Sequence, residues 1–269
     1  MTDSELEDIS DWERGRESSG TRTGSWVFDP RTRRMGLVKV PKHHPKSDFE
    51  EGETWAEVFA SRLGRHLGLP VPEVEPVRWR GRICPLSWNI CPAGWELREG
   101  VGLATSAEMK EPLLVSDVIR LLEHHLGRHD AAAGVTRLIS FDILIGNCDR
   151  HWYNWGVLLP AIVLPENQPV MAHFYDNGSS LGANLMPDRL RRYIADTAQQ
   201  DRFDRNFKYE MRINMDVKPS PRELLTPHLL GRPQPRSIWT SRGTYQDESR
   251  DDRCCRRSST SLAGGPGTG

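Results

Sequence analysis

The sequence predicts an α+β fold of two lobes. The first lobe holds a small antiparallel sheet with one helix, and the second is mainly helical. Apolar and polar residues alternate over residues 25–40 and again over 71–90, which is typical of two β-hairpins. Residues 53–67 place apolar side chains at helical intervals, and from residue 113 onward the spacing is helical again.

Composition sets limits on the partners of the chain. It has 269 residues, of which 27% are charged and 37% hydrophobic, and its formal net charge is −1. A charge this close to neutral gives no general basis for binding nucleic acid or an anionic membrane, so we expect neither partner. No apolar run of about 18 residues occurs, and the start lacks the basic and apolar regions of a signal peptide. We therefore expect a cytoplasmic protein.

Composition also suggests four regions along the chain. Residues 1–19 are acidic and rich in serine, and residues 231–269 are rich in Arg, Ser, Gly and Asp, so both are predicted to be disordered. The first lobe is expected over residues 20–92 and the second over 93–230. The stretch 91–94 breaks the alternating pattern and is the predicted hinge between them.

The first hairpin carries the first candidate site residues. Lys39 lies between two valines in the second strand, where an unpaired ammonium group would be costly, so it needs an anion. A solvent-facing lysine on an edge strand is the alternative that the alternation permits. Gly20 and Gly24, at the entry to the hairpin, could bring backbone N–H groups close to phosphates, although a simple turn explains them equally well.

The predicted helix at residues 53–67 carries a candidate partner for Lys39. Gly68 and a following proline end the helix. Its apolar face is expected to pack on the sheet, and it consists of Trp55, Val58, Phe59, Leu63 and Leu67. Glu57 lies beside this face and could reach Lys39 across the lobe, or it could be a solvated surface residue.

The remaining elements complete the two lobes. A second hairpin is predicted from segments 71–79 and 82–90 around Arg80 and Gly81. Helices follow, with one apolar face formed by Leu113, Leu114, Val118, Leu121 and Leu122 and another formed by Val135, Leu138, Ile139, Ile143 and Leu144.

The central candidate site follows the second of these helices. A polar loop carries Asp149 and Asn154, and a later apolar segment ends at Asp176. Phosphoryl transfer requires groups that position the reactants and neutralise charge rather than covalent chemistry by the protein. Asp149 could orient an attacking hydroxyl and accept its proton, while Asn154 and Asp176 could supply oxygen ligands to a hard cation. The bland alternative is a polar turn with local hydrogen bonds.

Two linked motifs resemble a known family. Residues 144–156 read LIGNCDRHWYNWG and residues 175–182 read YDNGSSLG. They resemble HipA-like kinases, which carry a LIGNxDRHxxN loop and a metal-binding Asp downstream. The resemblance covers residues 20 to 225, and includes no N-terminal toxin-type module. It implies a protein-kinase-like fold, with ATP and Mg²⁺ as cofactors. Against the family's usual second lobe, which continues through several more helices, the helical second lobe here is expected to be shortened.

The resemblance also implies roles for individual residues. Asp149 matches the catalytic Asp, and Asn154 and Asp176 match the magnesium ligands. The segments around Lys39 and Glu57 resemble the strand that carries the ATP-binding lysine and the helix that carries its partner carboxylate.

The sequence therefore predicts a kinase that transfers the γ-phosphoryl group of ATP to a protein or small-molecule hydroxyl, chiefly Ser or Thr of a protein. Self-phosphorylation at Ser18, Ser19, Thr21 or Thr23 is one hypothesis, because these residues lie beside the glycines. A nucleotide-binding module without catalysis is the main alternative. A metal-dependent nuclease or phosphatase that uses Asp149, His151 and Asp176 is a further one.

Overall fold

The computed structural model describes residues 6–17, 24–42, 52–105, 109, 113–199 and 211, together with 238–239 and 245–246. The chain divides into two compact units, residues 1–232 and residues 233–269.

The first unit begins with a five-stranded antiparallel sheet. Its strands are β1 (Glu13–Glu17), β2 (Gly24–Phe28), β3 (Met35–Lys39), β4 (Val74–Trp79) and β5 (Arg82–Trp88), in the order β1-β2-β3-β5-β4. Both predicted hairpins are confirmed. The β4–β5 turn has Arg80 and Gly81 at φ of 53° and 75°, which is the backbone geometry that a two-residue hairpin turn favours.

The prediction of a disordered arm over residues 1–19 is wrong for the part that the structure describes. Strand β1 pairs with β2, and the Ile9 side chain is fully buried in the core of the sheet. The Ile9 amide also donates to the Arg78 carbonyl at 2.9 Å. An edge strand exposes most of its side chains, so the acidic and serine-rich composition gave no sign of a segment that Ile9 and the partly buried Trp12 attach to the core.

Helix α1 (Glu53–His66) lies where the sequence predicts it, but the largest residues of its predicted apolar face point to solvent, and of that face only Val58 is fully buried. Trp55 and Phe59 are 52% and 51% exposed, and Leu67 is also exposed. The buried face consists of Glu53, Thr54, Ala56, Glu57, Val58, Ala60, Ser61 and Gly64. Small residues let the helix lie close to its neighbours: a Cβ at Gly64 would come within 2.6 Å of the Val71 side chain.

In the rest of the first unit, the described residues form four helices and a three-stranded antiparallel sheet. The elements are β6 (Trp95–Glu99), α2 (Gly100–Leu103), α3 (Val115–Leu126), α4 (Arg128–Ile145), β7 (Gly156–Pro160), β8 (Val170–Met171) and α5 (Pro187–Ala195), with sheet order β6-β7-β8. Most residues of the two predicted apolar faces lie in or against the core around α3 and α4, although Leu144 is exposed. The predicted hinge, residues 91–94, lies between β5 and β6, and the lobe boundary at 92/93 stays a prediction.

In the second unit, β9 (Ile238–Trp239) pairs antiparallel with β10 (Tyr245–Gln246). The rest of the predicted disordered tail, residues 231–269, lies outside the described residues. Within the described ranges, no helix has both the length and the apolar character needed to cross a membrane.

Candidate active site

Hydrogen bonds hold the polar loop against the end of α4. Gly146 follows the helix with φ of 63°, so the chain can turn back sharply where a side chain would be strained. Asn147 then donates to the carboxylate of Asp142 at 3.1 Å and accepts from the Asp149 amide at 3.1 Å. These two hydrogen bonds fix the position of the Asp149 backbone relative to the end of α4.

A buried arginine joins the loop to the segment that carries Asp176. The Arg150 side chain is fully buried and donates twice to Asp142, at 2.9 and 2.7 Å. It also donates to the carbonyls of Asn154 at 2.5 Å and Tyr175 at 2.6 Å, and to the side-chain oxygen of Asn177 at 2.9 Å. One nitrogen contacts both carbonyls, so the backbones beside the two predicted metal ligands lie next to each other.

No role for Arg150 or Asp142 was predicted from the sequence. A signal was available, because Asp142 lies within the apolar run at the end of α4, where an ionised carboxylate needs a partner. Arg150 is that partner, and its planar group can bind both carboxylate oxygens at once.

Asp149, the predicted base, has a partly exposed carboxylate. One of its oxygens accepts a hydrogen bond of 3.3 Å from the Ser179 hydroxyl, and the other lies 3.9 Å from Nε2 of His151. Its backbone carbonyl accepts a hydrogen bond of 2.7 Å from the side-chain nitrogen of Asn154. The loop is therefore held through its backbone while the carboxylate remains accessible to a hydroxyl.

Asn154 and Asp176 have the donor types that Mg²⁺ prefers. The Asn154 nitrogen donates to Asp149, which turns its amide oxygen away from that carbonyl. Asp176 has a left-handed φ of 58°, which is uncommon outside glycine and is typical of functional positions. An amide oxygen and a carboxylate fit a magnesium ion that completes its shell with water and substrate phosphates. Across the described ranges, no group of three or more His, Cys, Asp and Glu side chains could hold a metal.

Lys39, Glu57 and Asp176 come together in the structure. The Lys39 ammonium lies 2.8 Å from the Asp176 carboxylate and 3.6 Å from that of Glu57. All three side chains are largely buried, so these contacts are less screened by solvent than surface ion pairs. Lys39 is thus neither unpaired nor a simple surface lysine.

The two predicted phosphate-loop glycines have different outcomes. Gly24 is the first residue of β2 and pairs directly with Lys39 in the β2–β3 register. Gly20 lies outside the described residues, as do Ser18, Ser19, Thr21 and Thr23.

Glu99 is a further acidic residue near the site that the sequence analysis missed. Burial raises its pKa, the charge of Asp176 raises it further, and His151 opposes the shift. Glu99 pairs with Gly156 across β6 and β7, and a Cβ at Gly156 would lie 2.9 Å from the Cα of Glu99 and still closer to the carbonyl of Arg98. The glycine therefore allows β6 to lie against the end of the loop that carries Asn154.

Tyr175, which precedes Asp176, has a raised pKa, first because it is buried and then because Glu99 is nearby. Its hydroxyl donates to the carbonyl of Tyr153 at 3.0 Å. This is a second link between the loop and the Asp176 segment.

Comparison with solved structures shows a shared fold. The Helicobacter pylori proinflammatory kinase CtkA matches with a TM-score of 0.69 and 20% sequence identity, over 80% of this chain and 75% of that one. This likeness confirms the predicted two-lobed, kinase-like α+β fold. A chain from the Shewanella oneidensis MR-1 complex of HipA, HipB and operator DNA matches with a TM-score of 0.46 and 15% identity, over 82% of this chain and 53% of its own. No family model matches the chain, and no curated protein is similar to it in sequence.

Proposed function

We propose that this chain, which shares its fold with the kinase CtkA, is an ATP- and Mg²⁺-dependent kinase that transfers the γ-phosphoryl group to a hydroxyl, chiefly Ser or Thr of a protein. One observation carries the proposal. Lys39 contacts both Glu57 and Asp176, while Arg150 joins the Asp176 segment to the loop that carries Asp149. Charged residues from four segments that are far apart in the sequence thus lie in one connected site.

Each side chain has a role that its contacts support. Asp149 would accept the proton of the acceptor hydroxyl, because its carboxylate is accessible and its backbone is held in place. Lys39 would neutralise negative charge on the phosphates, and Glu57 would position Lys39 from the buried face of α1. Asn154 and Asp176 would hold Mg²⁺, which when bound would neutralise further charge on the phosphate oxygens.

The test is transfer of the labelled γ-phosphate of ATP to a generic protein acceptor in the presence of Mg²⁺. The parent would be compared with Asp149→Asn and Asp176→Asn. Asp188→Asn is a matched control, because it makes the same chemical change at an exposed carboxylate on α5. We expect label with the parent and the control and a loss of at least about 100-fold with the two site variants, since general-base catalysis alone contributes that much. Equal transfer by all four proteins would contradict the assigned roles.

One observation favours a binding module without catalysis. The 2.8 Å contact of Lys39 with Asp176 places a predicted metal ligand in an ion pair. ATP and Mg²⁺ that raise the melting temperature of the parent, with no label transferred to any acceptor, would support this second function.

A further inference from the structure

A cavity of about 480 Å³ lies beside the candidate active site and includes none of the side chains assigned to that site. One wall is the outer face of α1, where the Trp55 and Phe59 side chains are half exposed. The opposite wall comes from the stretch that leads into α5, and its apolar residues are Leu181, Ala183, Leu185, Pro187 and Leu190. A cavity of this size with mostly apolar walls is typical of a site for a small molecule.

The fold leaves the apolar walls of this cavity open to solvent. Trp55 and Phe59 lie one turn apart on α1, so their exposed rings form one continuous surface. Leu181 is also exposed and has a left-handed φ of 55°, which is unfavourable for a branched side chain. Its amide donates to the Ile145 carbonyl at 2.9 Å, which holds the residue in this conformation. A continuous exposed apolar surface of this kind marks an interaction site.

Two polar residues line the same cavity and indicate the charge of its ligand. Arg62 lies on the face of α1 that carries Phe59, and it is the only charged residue among the described residues of the lining. It is exposed and makes no ion pair within the described part of the chain, whereas Arg65 on the same helix contacts Glu73 at 3.3 Å. The Ser180 hydroxyl is buried and has no hydrogen-bond partner among the described residues, which is unfavourable unless a ligand provides one. A guanidinium group beside an apolar cavity is complementary to a carboxylate.

We propose that this cavity binds a small apolar molecule that carries one carboxylate, and that the bound ligand strengthens the binding of nucleotide at the neighbouring site. The apolar part of the ligand would pack between Phe59 and the leucines of the opposite wall, and its carboxylate would pair with Arg62. The increase in nucleotide affinity rests on the proposed kinase function, whereas the binding of the ligand does not.

Both walls of the cavity belong to elements that carry residues of the candidate active site. Helix α1 carries Glu57, whose carboxylate lies 3.6 Å from the Lys39 ammonium, and the second wall begins a few residues after Asp176, which lies 2.8 Å from the same ammonium. The Gly52 amide, at the start of α1, donates to the Ala183 carbonyl at 3.0 Å and joins the two walls directly. A ligand that packs on both walls favours the arrangement in which both carboxylates lie beside Lys39.

The first experiment measures the binding of decanoate, decan-1-ol and decylammonium by calorimetry. The three probes share one alkyl chain and differ in the charge of the head group. We expect the parent to bind decanoate about fivefold more tightly than the alcohol, and the cation least tightly. Arg62→Met should abolish the preference for decanoate, and Arg65→Met should keep it, because Arg65 is an exposed arginine of the same helix that does not line the cavity. Phe59→Ser should weaken the binding of decanoate and the alcohol about tenfold and should stay folded, because half of the Phe59 side chain is exposed.

Three results would overturn the proposed ligand. Equal affinities of the parent for decanoate and decan-1-ol would show that Arg62 selects no anion. No binding of any probe would show that the cavity is not a small-molecule site. Gel filtration of a parent that is dimeric and becomes monomeric with Phe59→Ser would show that a second copy of the chain covers the cavity instead.

The second experiment measures the coupling between the two sites without turnover. Calorimetry would compare the affinity for a non-hydrolysable ATP analogue with Mg²⁺ in the absence of decanoate and at a saturating concentration of it. We expect decanoate to tighten the binding of the analogue about fivefold in the parent, and to have no effect in Phe59→Ser. Equal affinities in the parent would overturn the coupling. A parent that binds decanoate but no analogue would contradict the proposed nucleotide site and would leave the ligand site supported.

Discussion

Replacing Arg150 by methionine should remove about 3–5 kcal/mol from the free energy of unfolding, the usual result of breaking a buried ion pair from one side. Methionine keeps much of the length of the side chain but leaves the Asp142 carboxylate fully buried without its counter-ion. It also leaves the carbonyls of Asn154 and Tyr175 without their charged donor. Since a domain of ordinary size unfolds with about 5–15 kcal/mol, this loss is a large fraction of the total.

Urea unfolding followed by tryptophan fluorescence measures this loss, because the chain has nine tryptophans and two of them, Trp152 and Trp155, are buried beside the loop. The control is Arg191→Met, which removes an exposed arginine paired with Asp188 and should change stability by less than about 0.5 kcal/mol. If Arg150→Met lowered the free energy of unfolding by less than about 1 kcal/mol, the reasoning would be refuted, because a buried carboxylate without its counter-ion should destabilise the fold by more than that.

The double variant Arg150→Met/Asp142→Leu separates charge from positioning. It leaves no charge buried at this point, so it should be more stable than Arg150→Met alone. Phosphoryl transfer should not return, because the carbonyls of Asn154 and Tyr175 still lack their shared donor. Recovery of transfer would show that Arg150 acts only through stability.

Three further predictions concern pH, packing and charge. Burial lowers the pKa of His173 to about 4, so as the pH falls the unfolded chain binds the proton before the folded chain does. The free energy of unfolding of the parent should therefore fall by up to about 3 kcal/mol between pH 6.5 and 4. Urea unfolding should show a smaller decline with pH for His173→Gln, and the same decline in both proteins would contradict this. Gly156→Ala should destabilise the fold by about 2 kcal/mol or more, because its Cβ meets the backbone of β6, whereas Gly102→Ala meets only a flexible side chain and should be nearly neutral in thermal unfolding. Glu99→Gln should raise the melting temperature at pH 7, because the raised pKa of Glu99 means that its charged form is destabilising there; an unchanged or lower value would contradict this.

The residues of the candidate site could be singled out from the sequence because their order and types carry the information. The loop residues Asp149 and Asn154 and the later Asp176 are polar positions between apolar segments, and the structure connects their backbones through Arg150. Lys39 was predictable as a residue in need of an anion, since it lies within an apolar strand. The structure provides two carboxylates at this position.

The contacts that support the site were not predictable in the same way. The Arg150–Asp142 pair joins residues eight apart whose side chains meet only because α4 ends at Ile145 and the chain turns back at Gly146. Likewise, the burial of Ile9 was missed, because the acidic segment has only three scattered apolar residues after Met1, which are Leu6, Ile9 and Trp12, and such a composition is typical of disorder. Both depend on tertiary packing rather than on local pattern.

The orientation of α1 explains both the wrong prediction that Trp55 and Phe59 are buried and the correct prediction that Glu57 lies close to Lys39. Trp55 and Phe59 were predicted to lie in the core because they recur at helical intervals with Val58, Leu63 and Leu67. Glu57 was predicted to lie within reach of Lys39. At about 100° per residue, positions 57, 60, 61 and 64 share one side of the helix, and positions 55, 59 and 62 lie on another. Burying the two aromatic residues would have turned Glu57 away from the sheet.

In the structure, α1 buries the Glu57 carboxylate and leaves Trp55 and Phe59 exposed. The side of α1 that faces inward carries Ala60, Ser61 and Gly64, and the Ser61 hydroxyl donates to the Pro72 carbonyl at 2.7 Å and accepts from the Val74 amide at 3.0 Å. These small residues let the helix approach β4 closely enough for Glu57 to lie 3.6 Å from Lys39. The exposure of Trp55 and Phe59 is therefore a consequence of the same packing that places Glu57 in the site.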